Sequence, residues 1–334
     1  MASAPLHVAV IGLGWWGRII VPLIKTSARL RVVKVVDPAP AARAFAAEQG
    51  VPLVSFDEVL RDREVQGVVL CTPHTQHTEQ IVRAAEAKKH VFCEKPLSLT
   101  RADVLRAVDA CNGNGVKLAV GHEKRFEPPI MELLRLVKSG ELGTPLQIEA
   151  NFLQDKFLAL PADNWRLSAK EAPAGPMTAT GIHLLDLSVG VFGPAERVFA
   201  SVRQLGSQLV NGDTLGILVN FKSGANALLG AVLATPFDGR FAVYCNQGWA
   251  EVRDKAHPES PQGWTLTIHR RGGERTVREF QPAKAVLANL EAFAEAAIGG
   301  APYPVPQSEM IANVSALEAI FRSARSGRVE QVES

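Results

Sequence analysis

An acidic and a basic residue stand side by side where a short apolar segment ends. Glu94, Lys95 and Pro96 follow residues 91–93, which have the composition of a buried strand. Removing either charge from water without a partner costs several kcal/mol, so a buried strand seldom ends in such a pair unless it faces a cleft. A lysine in a cleft can take a proton from a hydroxyl group and return it. The tripeptide therefore indicates acid–base chemistry, and a structural Glu–Lys ion pair is the alternative.

A second group of residues is suited to binding a dinucleotide. Residues 8–11 form an apolar run of strand length, and Gly12, Gly14 and Gly17 follow before a predicted helix that runs through residue 24. Glycines at this spacing allow a tight turn, a close approach to a pyrophosphate and close helix–strand packing, and the helix N-terminus attracts the negative charge. The motif alone is a weak signal, and a simple glycine-rich turn is the alternative.

Asp37 strengthens the dinucleotide interpretation. It ends a β-rich segment, residues 30–36, about 20 positions after Gly17, where a carboxylate would accept a hydrogen bond from a ribose 2′-hydroxyl. The same carboxylate would repel a 2′-phosphate, so the predicted cofactor is NAD, with NADP less favoured. Arg43, the nearest helical cation, would weaken this preference.

The first 123 residues alternate between apolar strands and helices. Strands are predicted at residues 8–11, 30–36, 51–54, 67–71, 91–93 and 117–120, and helices at 39–49, 57–60 with Asp57 as the cap, 78–88 and 100–112. The unbroken apolar run at 67–71 indicates a strand covered on both faces, as in a parallel sheet with flanking helices. Right-handed crossovers make this a doubly wound Rossmann domain over residues 1–123.

Polar residues follow the strand at 67–71, at the edge where such sheets bind ligands. Thr72 and Pro73 end the strand, and His74 and His77 precede the next helix. We predict that all four contact the cofactor. For both histidines the ordinary polarity of a helix start is the alternative, and for His77 we prefer it as far as a chemical role is concerned.

From residue 124 onward the pattern changes to consecutive strands joined by short turns. Strands are predicted at residues 147–152, 198–202, 215–221, 225–233, 240–244, 248–252, 264–270 and 276–280, and helices at 130–137, 182–192, 283–298 and 308–326. Hairpin connections imply a large, mostly antiparallel open sheet with one face that needs cover. Residues 124–334 are therefore predicted to form a second, α+β domain, whose closing helices could return to the first domain.

Composition limits the classes of protein that fit. The chain has 334 residues, more than one core usually supports, and its formal net charge of +2 favours neither a nucleic-acid partner nor a membrane surface. No apolar run reaches the length of a spanning helix and the first strand leaves no room for a signal peptide, so a cytoplasmic location is expected. The 4 cysteines form no Cys-x-x-Cys pair, so neither a disulfide framework nor a metal site is predicted.

Five features together resemble the Gfo/Idh/MocA oxidoreductases, a family that includes glucose-fructose oxidoreductase and myo-inositol dehydrogenase. They are Gly12-x-Gly14-x-x-Gly17, Thr72-Pro73 with His77, Glu94-Lys95-Pro96, Gly121 with Arg125-Phe126 and Pro128, and Gly181-Ile182-His183-x-x-Asp186. The glycine motif is shared by many families, whereas Glu-Lys-Pro after the fifth predicted strand is much more specific. The resemblance implies NAD or NADP as cofactor, a substrate held between the domains, and homodimers or homotetramers that pair through the open sheet.

The resemblance also implies roles for particular residues. It places the Lys95–Pro96 peptide beside the nicotinamide. Further cofactor contacts are implied for Trp15, Trp16, Glu94 and Arg125. Substrate contacts are implied for Lys95, Arg125, Trp165, Arg166, Thr180 and His183.

Oxidising an alcohol by hydride transfer requires a group that takes the hydroxyl proton, and the cofactor cannot do so itself. Lys95 is the best-placed candidate, because burial and the positive nicotinamide of NAD⁺ would both lower its pKa from about 10.4. His183 is the second candidate, either sharing the proton or holding a substrate hydroxyl. A hydrogen-bonded core histidine is the alternative for His183.

One position departs from the family pattern. Many members carry an aspartate one helical turn before this histidine, where it can orient the ring and contact the substrate. Here that position is Ala179, between Thr178 and Thr180. Three explanations stay open: a threonine hydroxyl substitutes, the substrate brings its own carboxylate, or the chain is not a catalyst of the usual type.

Four cations favour the second explanation. Lys124, Arg125, Lys156 and Arg166 lie in segments that the resemblance places around the substrate, and arginine can grip a carboxylate with two hydrogen bonds. An anionic polyol, such as a sugar acid, is therefore the predicted substrate; solvated surface charges are the alternative. Trp165 is predicted to offer a flat apolar wall to a sugar ring, with core packing as its alternative.

Together these features predict an NAD-dependent dehydrogenase acting on a secondary alcohol of a sugar-like, polyol or hydroxy-acid substrate. Two other classes stay open. The same family contains NAD-dependent glycosidases that oxidise, eliminate and re-reduce a sugar, and a regulatory protein of this fold could bind NAD without turning anything over. Lys95 and His183 argue against the regulatory class, whereas Ala179 argues for it.

Overall fold

The computed structural model describes residues 4–333, which form two compact units. Unit 1 comprises the chain up to Glu123 together with Val286–Met310, and unit 2 comprises Lys124–Ala285 and the chain from Ile311 onward. The chain thus passes into unit 2 where its sequence changes from alternating strands and helices to consecutive strands.

Unit 1 is built on a parallel sheet in the order β2-β1-β3-β4-β5. Its strands are β1 (Leu6–Ile11), β2 (Leu30–Val36), β3 (Gly67–Leu70), β4 (His90–Cys93) and β5 (Leu118–Val120). Ile11 pairs with Leu70, Leu70 with Cys93, and Cys93 with Val120, so four strands end level with one another. The predicted Rossmann-like sheet is confirmed, and the reversal of strand order between β1 and β3 marks the edge where such sheets bind ligands.

Helices connect these strands. They are α1 (Trp15–Ile24), α2 (Ala42–Glu48), α3 (Phe56–Arg61), α4 (His77–Glu86) and α5 (Arg101–Asn114). The hydroxyl of Thr100 caps α5 by accepting the N–H of Asp103 at 3.2 Å.

Two local predictions in unit 1 are wrong. Residues 51–54 form only an isolated bridge between Val35 and Leu53, because Pro52 has no N–H to donate to a ladder. The Lys95 segment therefore follows the fourth strand of the sheet and not a fifth. The cap of α3 is not Asp57 but Ser55, which exchanges hydrogen bonds with the third residue of the helix in a capping box.

Unit 2 is built on a nine-stranded sheet in the order β13-β12-β11-β10-β6-β9-β8-β7-β14. Its strands are β6 (Pro145–Leu153), β7 (Ala195–Arg203), β8 (Thr214–Phe221), β9 (Asn226–Val232), β10 (Asp238–Cys245), β11 (Gly248–Asp254), β12 (Trp264–Arg270), β13 (Arg275–Phe280) and β14 (Glu330–Gln331). β6 and β9 pair in parallel and the other neighbours pair antiparallel, which confirms the predicted mostly antiparallel sheet.

The two faces of this sheet differ. Helices α6 (Pro128–Lys138) and α7 (Ile182–Phe192) pack on one face, where Ile148 and Phe152 are buried. On the other face Phe199, Leu218 and Leu228 are neighbours across β7, β8 and β9, and each is exposed.

The chain closes with α8 (Ala285–Ala297) and α9 (Gln307–Ser326). Leu290 and Phe293 of α8 join Val8 and Phe92 in the core of unit 1, where the two phenylalanine rings meet edge-on at 5.9 Å. None of the helices described is both long and apolar enough to cross a bilayer.

Candidate active site

The glycine-rich turn lies between β1 and α1, and its geometry explains the residue types. Gly12 has a φ of +93°, a conformation that favours glycine, and a Cβ at Gly17 would overlap the carbonyl oxygen of Gly12. A Cβ at Gly14 would meet no described atom within 4 Å, so this position is open to a ligand. The N-terminus of α1 follows, and its N–H groups suit an anionic pyrophosphate.

Asp37 lies beside this turn, directly after β2. One carboxylate oxygen accepts the N–H of Leu13 at 2.6 Å, and the other accepts the N–H of Ala39 at 2.8 Å. The two amides fix the carboxylate, which stays partly exposed and retains lone pairs for a further donor. The position fits a group that accepts a ribose hydroxyl and repels a phosphate.

The ends of β3, β4 and β5 bring a second set of residues together. Thr72 follows β3 and donates its hydroxyl proton to Gln80 at 2.6 Å. After β4, Glu94 is buried and Lys95 is partly exposed. A Cβ at Gly121, which follows β5, would overlap the carboxylate of Glu94, so this motif glycine makes room for that side chain.

Glu94 titrates near neutral pH. Burial raises its pKa to about 7, and the nearby carboxylate of Glu123 acts in the same direction. The indole of Trp16 and the charge of Lys95 lower this pKa, but by less. Sequence reasoning missed the influence of Glu123, because a single acid after a strand carries no pattern that distinguishes it from a surface residue.

The structure corrects the role predicted for His77. Its side chain is 0% exposed, and its two ring nitrogens face the carbonyl oxygens of Pro96 and Thr72. A cofactor cannot reach this ring, so His77 is not a direct cofactor contact. His74, itself buried, meets the ring edge-on at 5.8 Å. Among the other predicted cofactor contacts of unit 1, those with partial exposure are Trp15, Trp16, Asp37, Thr72, Pro73 and Lys95.

In unit 2, His183 lies in the first turn of α7, directly after a π-helical turn, Met177–Gly181. Its side chain is 4% exposed, and its ring lies 6.1 Å from the ring of Phe152. π turns are rare and occur frequently at functional sites. The sequence did not predict this turn.

The threonines beside Ala179 do not replace the missing carboxylate. The hydroxyl of Thr180 donates to the carbonyl oxygens of Pro176 at 3.2 Å and Phe152 at 3.4 Å, and the hydroxyl of Thr178 donates to another carbonyl at 3.3 Å. Both threonines are buried, whereas Ala179 is partly exposed. The hydroxyl of Thr180 is enclosed and bonded internally, which counts against the predicted contact of Thr180 with the substrate.

Two of the predicted substrate-binding cations have carboxylate partners in the interior of unit 2. Arg125 forms a two-pronged salt bridge with Asp186, from Nε to Oδ2 at 2.7 Å and from Nη2 to Oδ1 at 2.8 Å. Lys124 is buried between Glu127 and Asp254; burial lowers its pKa, but the two carboxylates outweigh burial and raise it. Arg125 therefore forms a buried ion pair, and its predicted contacts with cofactor and substrate stay predictions.

The other two cations lie nearer the surface. Lys156 pairs with Glu259 at 2.7 Å and contacts Nδ1 of His257 at 3.0 Å. The guanidinium of Arg166 lies over the ring of Trp165, 4.3 Å from its centroid, in a cation–π contact. Both Trp165 and Arg166 are partly exposed, so this pair stays the better candidate for meeting a substrate.

Sequence reasoning missed a cluster around Phe152. The ring of His257 lies 6.0 Å from that of Phe152, which also neighbours His183. Nε2 of His257 is 2.8 Å from Oε1 of Gln154. His257 follows β11 in an irregular segment, where a single histidine has no periodic pattern to reveal it. Phe237 completes the cluster, with its ring 5.4 Å from that of His257.

Family models match both parts of the chain. Residues 6–122 match the model described as an oxidoreductase family with an NAD-binding Rossmann fold, and residues 130–251 match the Gfo/Idh/MocA C-terminal domain. The chain belongs to the Gfo/Idh/MocA oxidoreductase family. The resemblance predicted from Glu94-Lys95-Pro96 and the other motifs is thereby confirmed.

Relatives of this family member include named sugar oxidoreductases. The chain is 28% identical to D-xylose 1-dehydrogenase (NADP⁺) 2 of Haloferax volcanii, over 87% of this chain and 89% of the relative. It is also 28% identical to 1,5-anhydro-D-fructose reductase of Ensifer adhaerens, over 87% of each. Among solved structures, the aldose-aldose oxidoreductase from Caulobacter crescentus, complexed with glycerol, has a TM-score of 0.86 at 28% identity and covers 98% of this chain and 99% of its own.

Proposed function

We propose that this oxidoreductase is an NAD-dependent dehydrogenase that acts on a CH–OH group of a sugar-like substrate. Lys95 is its acid/base, and His183 is the partner of Lys95. The observation that carries the proposal is the position of Lys95, which is partly exposed directly after β4, at the ligand-binding edge of the sheet. Trp16, from the helix that follows the glycine-rich turn, lowers the pKa of Glu94, the residue before Lys95, and this supports the proposal that Lys95 and the turn serve one site.

The proposed chemistry divides the work among a few residues. When bound, NAD supplies the acceptor for the hydride that leaves the alcohol carbon. The glycine-rich turn and the N-terminus of α1 hold the pyrophosphate, and Asp37 holds the ribose. Lys95 takes the hydroxyl proton during oxidation and returns it during reduction, while His183 shares that proton or holds the hydroxyl in place.

Asp37 supports NAD as the preferred cofactor. Its carboxylate is fixed by two backbone amides next to the glycine-rich turn, where a 2′-phosphate would meet a negative charge. One relative is named for NADP⁺, so the proposed preference for NAD does not follow from the relatives. It rests on Asp37 of this chain.

We propose a neutral sugar or polyol as the substrate instead of the sugar acid expected from the sequence. Lys124, Arg125 and Lys156, three of the four cations that favoured an anion, are paired with carboxylates. The named relatives act on sugars such as D-xylose and aldoses. Arg166 and Trp165 supply a flat face with polar donors, which suits a sugar ring.

We also propose that the outer face of the nine-stranded sheet joins two copies of this chain. Phe199, Leu218 and Leu228 form an exposed apolar row on three neighbouring strands. A contact between identical rows would bury them, in line with the homodimers or homotetramers that the family implies. The cytoplasmic location expected from the sequence stays a prediction.

A substrate screen tests the proposed reaction. The purified chain is given NAD with matched pairs of neutral and acidic sugars, such as D-xylose with D-xylonate and D-galactose with D-galacturonate, and NADH formation is recorded. We expect net NADH formation with a neutral sugar and a kcat/KM at least tenfold higher than for its acid. A preference for the acids would contradict the proposed substrate class. Sugar turnover that needs NAD but forms no net NADH would identify the glycosidase class instead.

A further inference from the structure

His77 is the first residue of α4, and its imidazole is fully enclosed by unit 1. Burial excludes it as a direct cofactor contact, so the chemistry proposed above does not use it. A polar ring in such a place is held by internal hydrogen bonds. Its partners therefore indicate what the residue does.

The ring lies between two backbone segments that leave neighbouring strands. Nδ1 of His77 is 2.8 Å from the carbonyl oxygen of Pro96, and Nε2 is 3.0 Å from the carbonyl oxygen of Thr72. Thr72 follows β3, and Pro96 is the residue after Lys95, beyond the end of β4. One side chain thus spans the exits of two adjacent strands at the ligand-binding edge.

The two contacts are not equivalent in the neutral ring. A neutral imidazole carries one N–H and donates to only one of the two carbonyls, and we take Nδ1, the nitrogen at the shorter distance, as the donor to Pro96. Burial lowers the pKa of His77 and the two carbonyl oxygens raise it, with burial the larger effect, so the ring is neutral near pH 7. The ring of His74 meets it edge-on at 5.8 Å, and Glu94 and Lys95 directly precede Pro96 in the sequence.

We propose that His77 is a positioning residue that ties the Lys95–Pro96 segment to Thr72 and thereby fixes where Lys95 leaves the sheet. This inference rests on the proposed function, in which Lys95 is the acid/base. A displacement of about 1 Å in a catalytic group can cost about a hundredfold in rate. Loss of the bond to Pro96 is therefore expected to lower kcat far more than the substrate KM.

Three variants test the proposal. His77→Phe keeps a flat buried ring and removes both hydrogen bonds. His77→Asn keeps a donor near the place of Nδ1, so it can still donate to the carbonyl oxygen of Pro96. His90→Phe is the matched control, because His90 begins β4 at the opposite end of the strand, where its Nδ1 accepts the N–H of Lys117 at 3.0 Å.

The kinetic readout uses the neutral sugar with the highest kcat/KM in the screen, and NADH affinity is measured by titration without substrate. We expect His77→Phe to lower kcat at least fiftyfold and to raise the substrate KM less than threefold. His77→Asn is expected to recover at least a tenth of the wild-type kcat, and His90→Phe to stay within twofold of wild type. An unchanged kcat in folded His77→Phe, or a kcat in His77→Asn no higher than in His77→Phe, would overturn the proposal.

A spectroscopic measurement on the wild-type chain does not depend on activity or on the folding of any variant. Nitrogen-15 NMR of the labelled ring distinguishes a protonated from an unprotonated imidazole nitrogen. We expect Nδ1 of His77 to carry the proton at pH 8 and the ring to stay neutral below pH 6.5. An unprotonated Nδ1 would overturn the proposed bond to Pro96 even if the dehydrogenase is real. Conversely, a protonated Nδ1 in a chain that turns over no sugar would support the bond and count against the proposed function.

Discussion

In the proposed function, the choice between NAD and NADP depends on the carboxylate of Asp37. Asp37→Asn keeps the size of the side chain and one acceptor for the backbone amides, but it removes the charge that would repel a 2′-phosphate. We expect the ratio of NADH to NADPH affinity to fall at least tenfold in this variant, as measured by fluorescence titration with each nucleotide. Asp57→Asn, an exposed substitution in the same unit, is the control and is expected to leave the ratio unchanged. A wild-type preference for NADPH would refute the assignment.

Glu94 is expected to make stability depend on pH in an unusual direction. Its pKa is raised from 4.5 to about 7 in the folded chain, so the unfolded chain loses this proton first as the pH rises. Its contribution to stability is therefore complete below about pH 4.5 and is lost as the pH rises to about 7. In urea unfolding, the free energy of unfolding of wild type, relative to that of Glu94→Gln, should fall by up to about 3 kcal/mol as the pH rises from about 4.5 to about 7.

A matched acid provides the opposite control for this measurement. A hydrogen bond from the backbone of Ser55 lowers the pKa of Glu58, so its contribution is present at neutral pH and is lost as the pH falls. Wild type should therefore lose stability relative to Glu58→Gln on acidification. A wild-type to Glu94→Gln difference that does not vary with pH would show that Glu94 is not perturbed.

Residue types were easier to predict than side-chain directions. Lys95 and Asp37 follow strands whose ends meet at one edge, so their types and positions sufficed to place them there. His77, Arg125 and Thr180 were assigned to ligands, but their polar atoms bind carbonyl oxygens or a buried carboxylate. Nothing in a linear sequence shows which partner a polar group finds, because those partners come from distant segments.

At the scale of elements, one ion pair attaches the turn after β5 to α7. Arg125 donates two hydrogen bonds to the carboxylate of Asp186. Asp186 lies about one turn after His183 on α7. Asp186 is 2% exposed, so removing Arg125 leaves a buried carboxylate without the two hydrogen bonds of the guanidinium. The Arg125–Asp186 pair therefore stabilises the position of α7, the helix that carries His183.

Arg125→Met tests this attachment. Breaking a buried ion pair from one side typically costs about 3–5 kcal/mol, and urea unfolding is expected to show a loss of that order. Arg135→Met is the control, because Arg135 forms an exposed salt bridge with Glu132 and its loss is expected to have a far smaller effect. Equal effects of the two substitutions would show that the buried pair does not support α7.

Strands and helices with a clear periodicity of apolar residues were predicted well. Local features that depend on one or a few residues were not. Apolar runs gave the strands of both sheets except the two-residue β14, because buried strands need unbroken or alternating apolar positions. The failure at residues 51–54 came from overlooking Pro52, which was visible in the sequence. The π turn at Met177–Gly181 differs: no residue pattern in it distinguishes a π turn from an α-helical one.

At the scale of the whole molecule, we expect the apolar row on the outer sheet face to determine assembly. Leu218→Glu places a charge between Phe199 and Leu228, so it is expected to convert the proposed dimer or tetramer into smaller species in light scattering. Met131→Glu introduces the same charge at an exposed position on α6 and is expected to leave the assembly unchanged. A wild-type chain that is monomeric at micromolar concentration would contradict the proposed interface.

The type of both sheets was predictable because the order of strands and helices along the chain indicates how the strands pair. Alternating strands and helices predict a parallel sheet, and consecutive strands with short turns predict an antiparallel one. The substrate was not predictable in the same way. The pairing of Lys124, Arg125 and Lys156 with carboxylates depends on long-range contacts, and that pairing changed the expected substrate from an acid to a neutral sugar.

The central claim is that Lys95 performs the proton transfer. Its most direct test compares Lys95→Met with Lys117→Met, an exposed lysine of the same unit, using steady-state kinetics with the neutral sugar and NADH titration. We predict that Lys95→Met binds NADH within threefold of wild type while kcat falls by about 10²–10⁴, and that Lys117→Met behaves as wild type. A Lys95→Met variant that retains more than a tenth of the wild-type kcat would contradict the account.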